Sequence, residues 1–382
     1  MFMMFSSAIS IAGSSIGLGL AFICWILKMM INKEFGFVSN PLNKPIGIFL
    51  LTMIISFWGS YNLIESLKEI ESFLIVFILY YLIINNVSSM KEVKNLFNMG
   101  LLSITISSLY GLFYQHYYLG MSRLDSTFMA LDFGALLLTY LLFSVIYFLF
   151  DNALIKDRIK YGLLIPILTL TLIYNKSRGA WLGFVGAAVI SLWIYRRKWV
   201  PILLIVVLLV VVLAPNNIQE RIKSIVDLQN NKSNLGRLAL WKGAFLIFRD
   251  YPFNGIGLGN FREVYMTHYK QPNTTANSHA HNNFLHFLAE TGIIGLAGLI
   301  YLLYSILKYL YLNYLQIENI SARLFVLSTF SSVIGTFIIQ GFTETNFSKA
   351  VVGRTIWFII ALAFIIIQLS NNNPINRTGN NL

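Results

Sequence analysis

Residues 129–150 read MALDFGALLLTYLLFSVIYFLF, a run with one charged side chain, Asp132, in its first turn. A helix needs about 20 apolar residues to cross the hydrocarbon layer of a bilayer, and this run supplies them. Similar runs lie at Ala8–Met30, Pro45–Trp58, Phe73–Ile84, Val93–Tyr114, Ile159–Tyr174, Ala180–Tyr195 and Val200–Ala214, then at Gly292–Leu312, Leu324–Gly341 and Val351–Leu369. With Met129–Phe150 they make 11 candidate spans, or 12 if the first run is split. Backbone groups in lipid must hydrogen-bond within the chain, which leaves helices as the reading of these runs. The expected fold class is an all-α integral membrane protein of 11–12 transmembrane helices with one large outer loop containing short helices.

The rest of the composition agrees. Of 382 residues, 57% are hydrophobic and 12% charged, and the mean hydropathy is +0.68. A soluble domain carries about 25% charged residues, so a single soluble core is excluded. The aromatics and the low charge exclude intrinsic disorder. The lone cysteine, Cys24, permits no intramolecular disulfide and says nothing of redox compartment. The first apolar run lacks a basic leader and a small-residue cleavage site, so it reads as a membrane helix rather than a removable signal peptide.

The net charge of +12 does not point to nucleic acid, because it is distributed by side. Fourteen of the 28 Lys and Arg residues fall in one set of short loops and the C-terminal tail, six in or beside the opposite loops, and eight in the long segment Pro215–Thr291. The positive-inside rule makes the first set cytoplasmic, and a long segment can cross regardless of its charge. The expected organisation is therefore transmembrane helices over 1–214, a periplasmic loop with the chemistry-bearing motifs over 215–291, transmembrane helices over 292–370, and a flexible tail over 371–382. Within the loop, Asn217–Gln229 and Leu238–Phe248 have helical spacing, and Asp250-Tyr251-Pro252 breaks the second.

Three places carry candidate chemistry. Arg178, in Asn175-Lys-Ser-Arg-Gly-Ala-Trp-Leu182, sits at an outer membrane boundary. It can snorkel to headgroups or bind a ligand, since membrane-depth arginines tend to be functional. Arg221 and Arg237 lie in the long loop, either on a solvated face or as planar forks matched to phosphate oxygens. The third place is Ser278-His-Ala-His-Asn-Asn-Phe-Leu285, followed by His286 and Glu290. His281, where the loop enters the next span, is the candidate proton acceptor. His279 and Asn282 are supporting candidates, and His286 reads as a packing residue. A metal site is disfavoured, because the neighbourhood offers no cysteine and no carboxylate cluster. Gly255-Ile-Gly-Leu-Gly259 follows no strand and reads as a turn rather than a nucleotide cradle.

These residues resemble the bacterial O-antigen ligase family, which shares a membrane domain with O-antigen polymerases. His281, Asn282, Gly292 and Gly295 fit its pattern of His, Asn/Ser/Gln, nine residues, Gly, two residues and Gly/Thr/Tyr. Arg178 and Leu182 fit its Arg-x-x-x-Leu element, Arg237 and Trp241 resemble an Arg-x-x-x-Trp element, and Asn254–Phe261 resembles its glycine-rich stretch. The best-matched block is about Thr169–Ile300. The resemblance implies a metal-independent, inverting glycosyltransferase of the bacterial inner membrane, needing no cofactor. It takes a glycan from undecaprenyl pyrophosphate and hands it to a lipid A-core sugar hydroxyl on the periplasmic face. It also implies that Arg178, Arg221 and Arg237 bind the pyrophosphate and that His281 activates the acceptor, with Arg123 a further candidate. The competing expectations are an O-antigen or capsule polymerase with a lipid-linked acceptor, and a transporter of lipid-linked sugars. No internal two-fold repeat of the kind transporters show is present.

Overall fold

The computed structural model describes residues 1–33, 38–151, 155–227, 231–272 and 279–371, and among these there is no β-strand. The chain enters through a short helix α1 (Phe2–Ser6), then α2 (Ile11–Asn32), α3 (Asn43–Ile55), α4 (Leu63–Asn86) and α5 (Met90–Leu109), which continues as a π-helix to Tyr118. Then come α6 (Ala130–Phe150), α7 (Ile155–Asn175), α8 (Arg178–Arg196) and α9 (Val200–Leu213). The long segment holds α10 (Asn216–Lys223), α11 (Lys232–Asp250) and α12 (Phe261–Val264). The last helices are α13 (Asn283–Gln316), α14 (Ile320–Val333), which runs on through π and 3-10 turns to Phe342, and α15 (Ala350–Asn371).

Local chemistry sets many of these boundaries. The side chains of Ser10, Asn62, Asn231, Asn282 and Asn319 accept hydrogen bonds from first-turn amides of α2, α4, α11, α13 and α14, meeting donors that a helix leaves orphaned. Ser89 and Glu92 form a reciprocal capping box at the start of α5. Arg196, at φ −152° and ψ 71°, breaks the helical path between α8 and α9.

Among the described residues, six helices are long and apolar enough to cross a membrane, or seven if the bent path Arg178–Leu213 plus Asn216–Lys223 counts as one span. The other runs read from the sequence are present as α3, α4 and α7. The first run is one unbroken helix, α2. The helix after the long segment begins earlier than hydropathy suggested: α13 starts at Asn283 and is broken at Gly292, which has φ 62°. The amphipathic run expected from Asn217 is α10 and ends at Lys223, while part of its remainder lies outside the described residues. The tail expected over 371–382 lies, beyond Asn371, outside them as well.

Helix α15 is the central post, buried along nearly its whole length, with α6 and α14 beside it. Helix α9 buries no residue, and α2 buries few. Such apolar peripheral surfaces suit lipid as their solvent.

One crossing positions the site. A Cβ on Gly183 of α8 would meet the Gly335 carbonyl at 2.6 Å, and one on Gly335 would meet the Gly183 carbonyl at 2.8 Å. Small residues let two membrane helices approach backbone to backbone. Ser191 donates to Ser331 at 2.7 Å along the same seam. The crossing brings the start of α8 against the 340–344 turn.

The segment between α9 and α13 has its own small core of Leu240, Ala244, Ile247, Ile256, Phe261, Val264, Tyr265, Ala280 and Ala289. It docks on the α3–α4 connection. Tyr61 N–H donates to the Ile256 carbonyl at 2.9 Å, and Ser66 Oγ donates to the Leu258 carbonyl at 2.8 Å. The glycine run is a turn, as expected, with positive φ at Gly255, Gly257 and Gly259. It packs directly on the break at Gly292, where an added Cβ would strike the Phe253 carbonyl.

Candidate active site

His281 has φ 52°, a left-handed conformation uncommon for a residue other than glycine. The residues that follow hold it there. The Asn282 side chain caps α13 and also donates to the Phe342 carbonyl at 3.2 Å, while its N–H donates to Thr345 Oγ1 at 3.1 Å. Asn283 is more deeply fastened. Its amide nitrogen donates to the Phe337 carbonyl and to Asn346 Oδ1, and its Oδ1 accepts the N–H groups of Asn346 and Phe347. The start of α13 is thus stitched to the turn between α14 and α15.

That stitching puts Glu344 beside His281. The His281 Nδ1 lies 3.0 and 3.1 Å from the two carboxylate oxygens. His279 Nε2 is 3.7 Å away and Arg237 Nη2 4.0 Å away. The Glu344 side chain is only 3% exposed. Burial pushes its carboxyl up, but the hydrogen bond from His281 and the electrostatic pull of His281, His279 and Arg237 outweigh that and hold it below the usual range. An ionised carboxylate beside Nδ1 favours a proton there and turns Nε2 away from it. His279 accepts the His281 N–H on Nδ1 at 3.3 Å. Burial pushes its imidazole down to about 3, so it stays neutral through the physiological range.

Four guanidinium groups lie within electrostatic reach of one another, and two of them, Arg237 and Arg123, reach Glu344 as well. Arg178 opens α8 at 5% exposure. Its Nη1 donates to the Ser224 carbonyl at 2.6 Å and to Ser224 Oγ at 3.0 Å, and its Nη2 donates to Ser233 Oγ at 3.2 Å. Gly179 beside it is where Thr343 packs, one residue from Glu344. Arg221 Nε donates to the Lys176 carbonyl at 3.1 Å. Arg123 Nε donates to the Asn175 carbonyl at 3.1 Å, and its buried Nη2 has no partner among the described residues. Burial lowers the affinity of both Arg123 and Arg237 for their protons, opposed by Asp125 and Glu344 at Arg123 and by Glu344 at Arg237. Cations crowded in this way, with a buried donor unused, have the chemistry to receive a multiply charged anion.

The residues singled out in the sequence therefore converge: Arg123, Arg178, Arg221, Arg237, His279 and His281 all meet at one end of the bundle. Asn282 acts as a helix cap and fastener. His286 packs as expected, 3.4 Å from Glu290, whose other oxygen accepts the Phe261 N–H at 3.0 Å and so ties the glycine turn to α13. Glu344 was missed as a site residue. The available signal was a lone acid in a polar run, Thr343-Glu-Thr-Asn-Phe-Ser348, between two apolar spans.

The carboxylate whose absence disfavoured a metal is thus present. His279, His281 and Glu344 each present a ligand atom within 4.8 Å of the others. The surroundings oppose a divalent cation there. Arg237 already contacts the same carboxylate, and three further guanidiniums stand nearby. The donor set suits an imidazole–carboxylate pair beside an anion.

Fold and site together define a multi-pass helical membrane protein with a cluster of arginines beside a His–Glu pair. Residues 163–300 match the family model described as O-antigen ligase. It is also 29% identical over 201 residues to the O-antigen ligase of Salmonella typhimurium, covering 49% of this chain and 48% of that protein. The chain thus matches about half the length of that curated relative. The family domain contains Arg178, Arg221, Arg237 and His281, whereas Arg123 and Glu344 lie outside it.

Proposed function

We propose that the protein transfers a glycan from undecaprenyl pyrophosphate to a sugar hydroxyl of a lipid A core, at the periplasmic face of the bacterial inner membrane. The observation that carries this reading is Glu344, which touches His281 on one side and Arg237 on the other. A proton acceptor and an anion receptor thereby share one carboxylate, and acid–base and leaving-group chemistry fall in one place.

The step follows from that geometry. His281 Nε2 takes the proton of the acceptor hydroxyl, and Glu344 steadies the positive charge that develops on the ring. The hydroxyl oxygen forms a bond to the anomeric carbon as the bond from that carbon to the phosphate oxygen breaks, inverting the centre. The pyrophosphate leaves with its prenyl chain. The negative charge it gains is met by Arg123, Arg178, Arg221 and Arg237, which are already in place before reaction, the arrangement that gives electrostatic catalysis its largest effect. Guanidinium groups do the work that a divalent metal does elsewhere.

The test is transfer by the purified full chain, reconstituted with lipid-linked glycan and lipid A-core acceptor. Substituting His281 or Arg178 by alanine should abolish product while the protein remains folded. Chelator should leave the wild type unaffected. Activity that vanishes with chelator and returns with zinc would refute the metal-free reading and make His279, His281 and Glu344 ligands. Product formed only with a second lipid-linked glycan as acceptor would make the enzyme a polymerase.

A further inference from the structure

The opposite end of the bundle holds a cleft that the transfer reaction does not use. Its volume is about 360 Å³, and it opens between the starts of α5, α7 and α14 and the end of α6. Phe97, Tyr147, Tyr161 and Phe325 form its walls. Asp151 lies deep in it at 4% exposure. This carboxylate accepts a hydrogen bond from Ser321 Oγ and forms no ion pair among the described residues. At the mouth, Lys94 and Lys160 share the single carboxylate of Asp157, at 3.0 and 3.6 Å. The Lys94 side chain is 60% exposed.

A buried carboxylate that accepts one hydroxyl and has no cation in direct contact among the described residues, Lys160 reaching it only through space, is incompletely compensated for the water it has lost. Aromatic walls around it favour a cation. Two ammonium groups on one carboxylate leave a surplus positive charge at the mouth, which favours a phosphate. We propose that this cleft binds a primary ammonium joined to a phosphate, the ammonium against Asp151 and the phosphate against Lys94 and Lys160, as in a phosphoethanolamine headgroup. The headgroup comes either from a phospholipid of the adjoining leaflet or from a free phosphoethanolamine. The inference stands apart from the transfer reaction.

The test places the full chain in nanodiscs of phosphatidylglycerol, alone or mixed with phosphatidylethanolamine or with phosphatidylcholine. Retained lipid is counted by native mass spectrometry after ejection. Phosphatidylethanolamine should be retained about tenfold more than either other lipid, since only it brings N–H donors to Asp151 and a charge-assisted hydrogen bond is worth that factor or more. Asp151→Asn should remove the preference, and Lys94→Gln, at an exposed site, should weaken retention without affecting folding. Competition by free phosphoethanolamine would identify the headgroup alone as sufficient, and lack of competition would identify the lipid as the source. Equal retention of the three lipids by the wild type would overturn the proposal, whatever the variants do. A preference unchanged in a folded Asp151→Asn protein would overturn it as well.

Discussion

Replacing Glu344 by glutamine separates the charge of this residue from its shape. The side chain keeps its volume, and its amide oxygen can still accept the His281 Nδ1–H now held at 3.0 Å. What disappears is a negative charge in contact with a ring that must become positive as it takes the acceptor proton. At 3.0 Å and an effective dielectric constant of about 20, the gross attraction is roughly 5 kcal/mol. Much of that is offset by the desolvation of a carboxylate that is 3% exposed, and charge-assisted hydrogen bonds net about 1.5–3 kcal/mol. Adding the proton-transfer role, the expected fall in kcat is between about 10² and 10⁴. Donor KM should stay level or drop, because Arg237, 4.0 Å from the same carboxylate, is freed toward the donor. Two residues acting as one unit are non-additive. Glu344→Gln added to His281→Ala should therefore lose little beyond His281→Ala alone. The assay is steady-state transfer at varied donor and acceptor, with the thermal midpoint as a control for folding. A folded Glu344→Gln enzyme within tenfold of wild-type kcat would refute the coupling of imidazole and carboxylate, as would losses that simply add in the double variant.

Gly292→Ala should destabilise the protein by about 2 kcal/mol or more, read from thermal unfolding, because φ is 62° there and the new Cβ would strike the Phe253 carbonyl. An unchanged midpoint would contradict that packing. Stability should also fall with acidity below about pH 6.5. The His279 imidazole titrates at about 3 in the fold against 6.5 when free, with Glu344, His281, Lys349 and His286 facing it, so the unfolded chain binds a proton that the native state refuses. Glu344 is depressed below the usual 4.5, so its own contribution is present above that value and lost only as pH falls through its lower folded value. His279→Gln should flatten the midpoint-against-pH curve between the two His279 values, and a slope identical to wild type would refute the assignment. Arg354, 9% exposed in α15, donates to Ser14 and Ser15 hydroxyls and has no carboxylate partner among the described residues. Arg354→Met should leave the unfolding midpoint unchanged or raised, because a buried cation without a counter-charge is replaced by apolar volume. A drop of several kcal/mol would reveal an anionic partner.

What could be read from the sequence is what has a local signature. Apolar runs gave the helices, because hydrocarbon length imposes a minimum on each. Arg178 and His281 stood out because each sits where a polar run meets a span. Glu344 had no such signature, since it lies 63 residues beyond His281 and acquires meaning only when Asn282 and Asn283 fasten onto residues 337–347. Arg123 was similarly obscure, its anchoring contact being with a carbonyl 52 residues away. Gly292 was visible as part of a spaced motif, yet the reason for glycine there is a backbone from the long segment, Phe253, pressed against it. The span read from Gly292 begins at the break within α13, and the turns before that break escaped notice for a related reason. Hydropathy sees where lipid begins, whereas the helix begins at the Asn282 cap and carries its first turns through the docked segment.

The same helix crossing that closes the bundle also fixes the charges. Four guanidiniums repel one another, and in a flexible loop they would separate. Here Arg178 cannot retreat, because α8 is locked against the 335–343 stretch through Gly183, Gly179 and their partners. Arg221 and Arg123 are pinned in turn by carbonyls of the α7–α8 turn, at Lys176 and Asn175. Three of the four non-glycine residues with positive φ among the described residues, Ser126, Lys176 and His281, lie in the connections that carry this site, where backbone strain is held by surrounding packing. Helix packing in the membrane thus supplies the energy that keeps like charges together, and in the proposed reaction an arriving diphosphate would relieve the repulsion without having to gather its ligands. The proposed reaction centre accordingly sits at the end of a packed bundle, where the helices hold its charges in place.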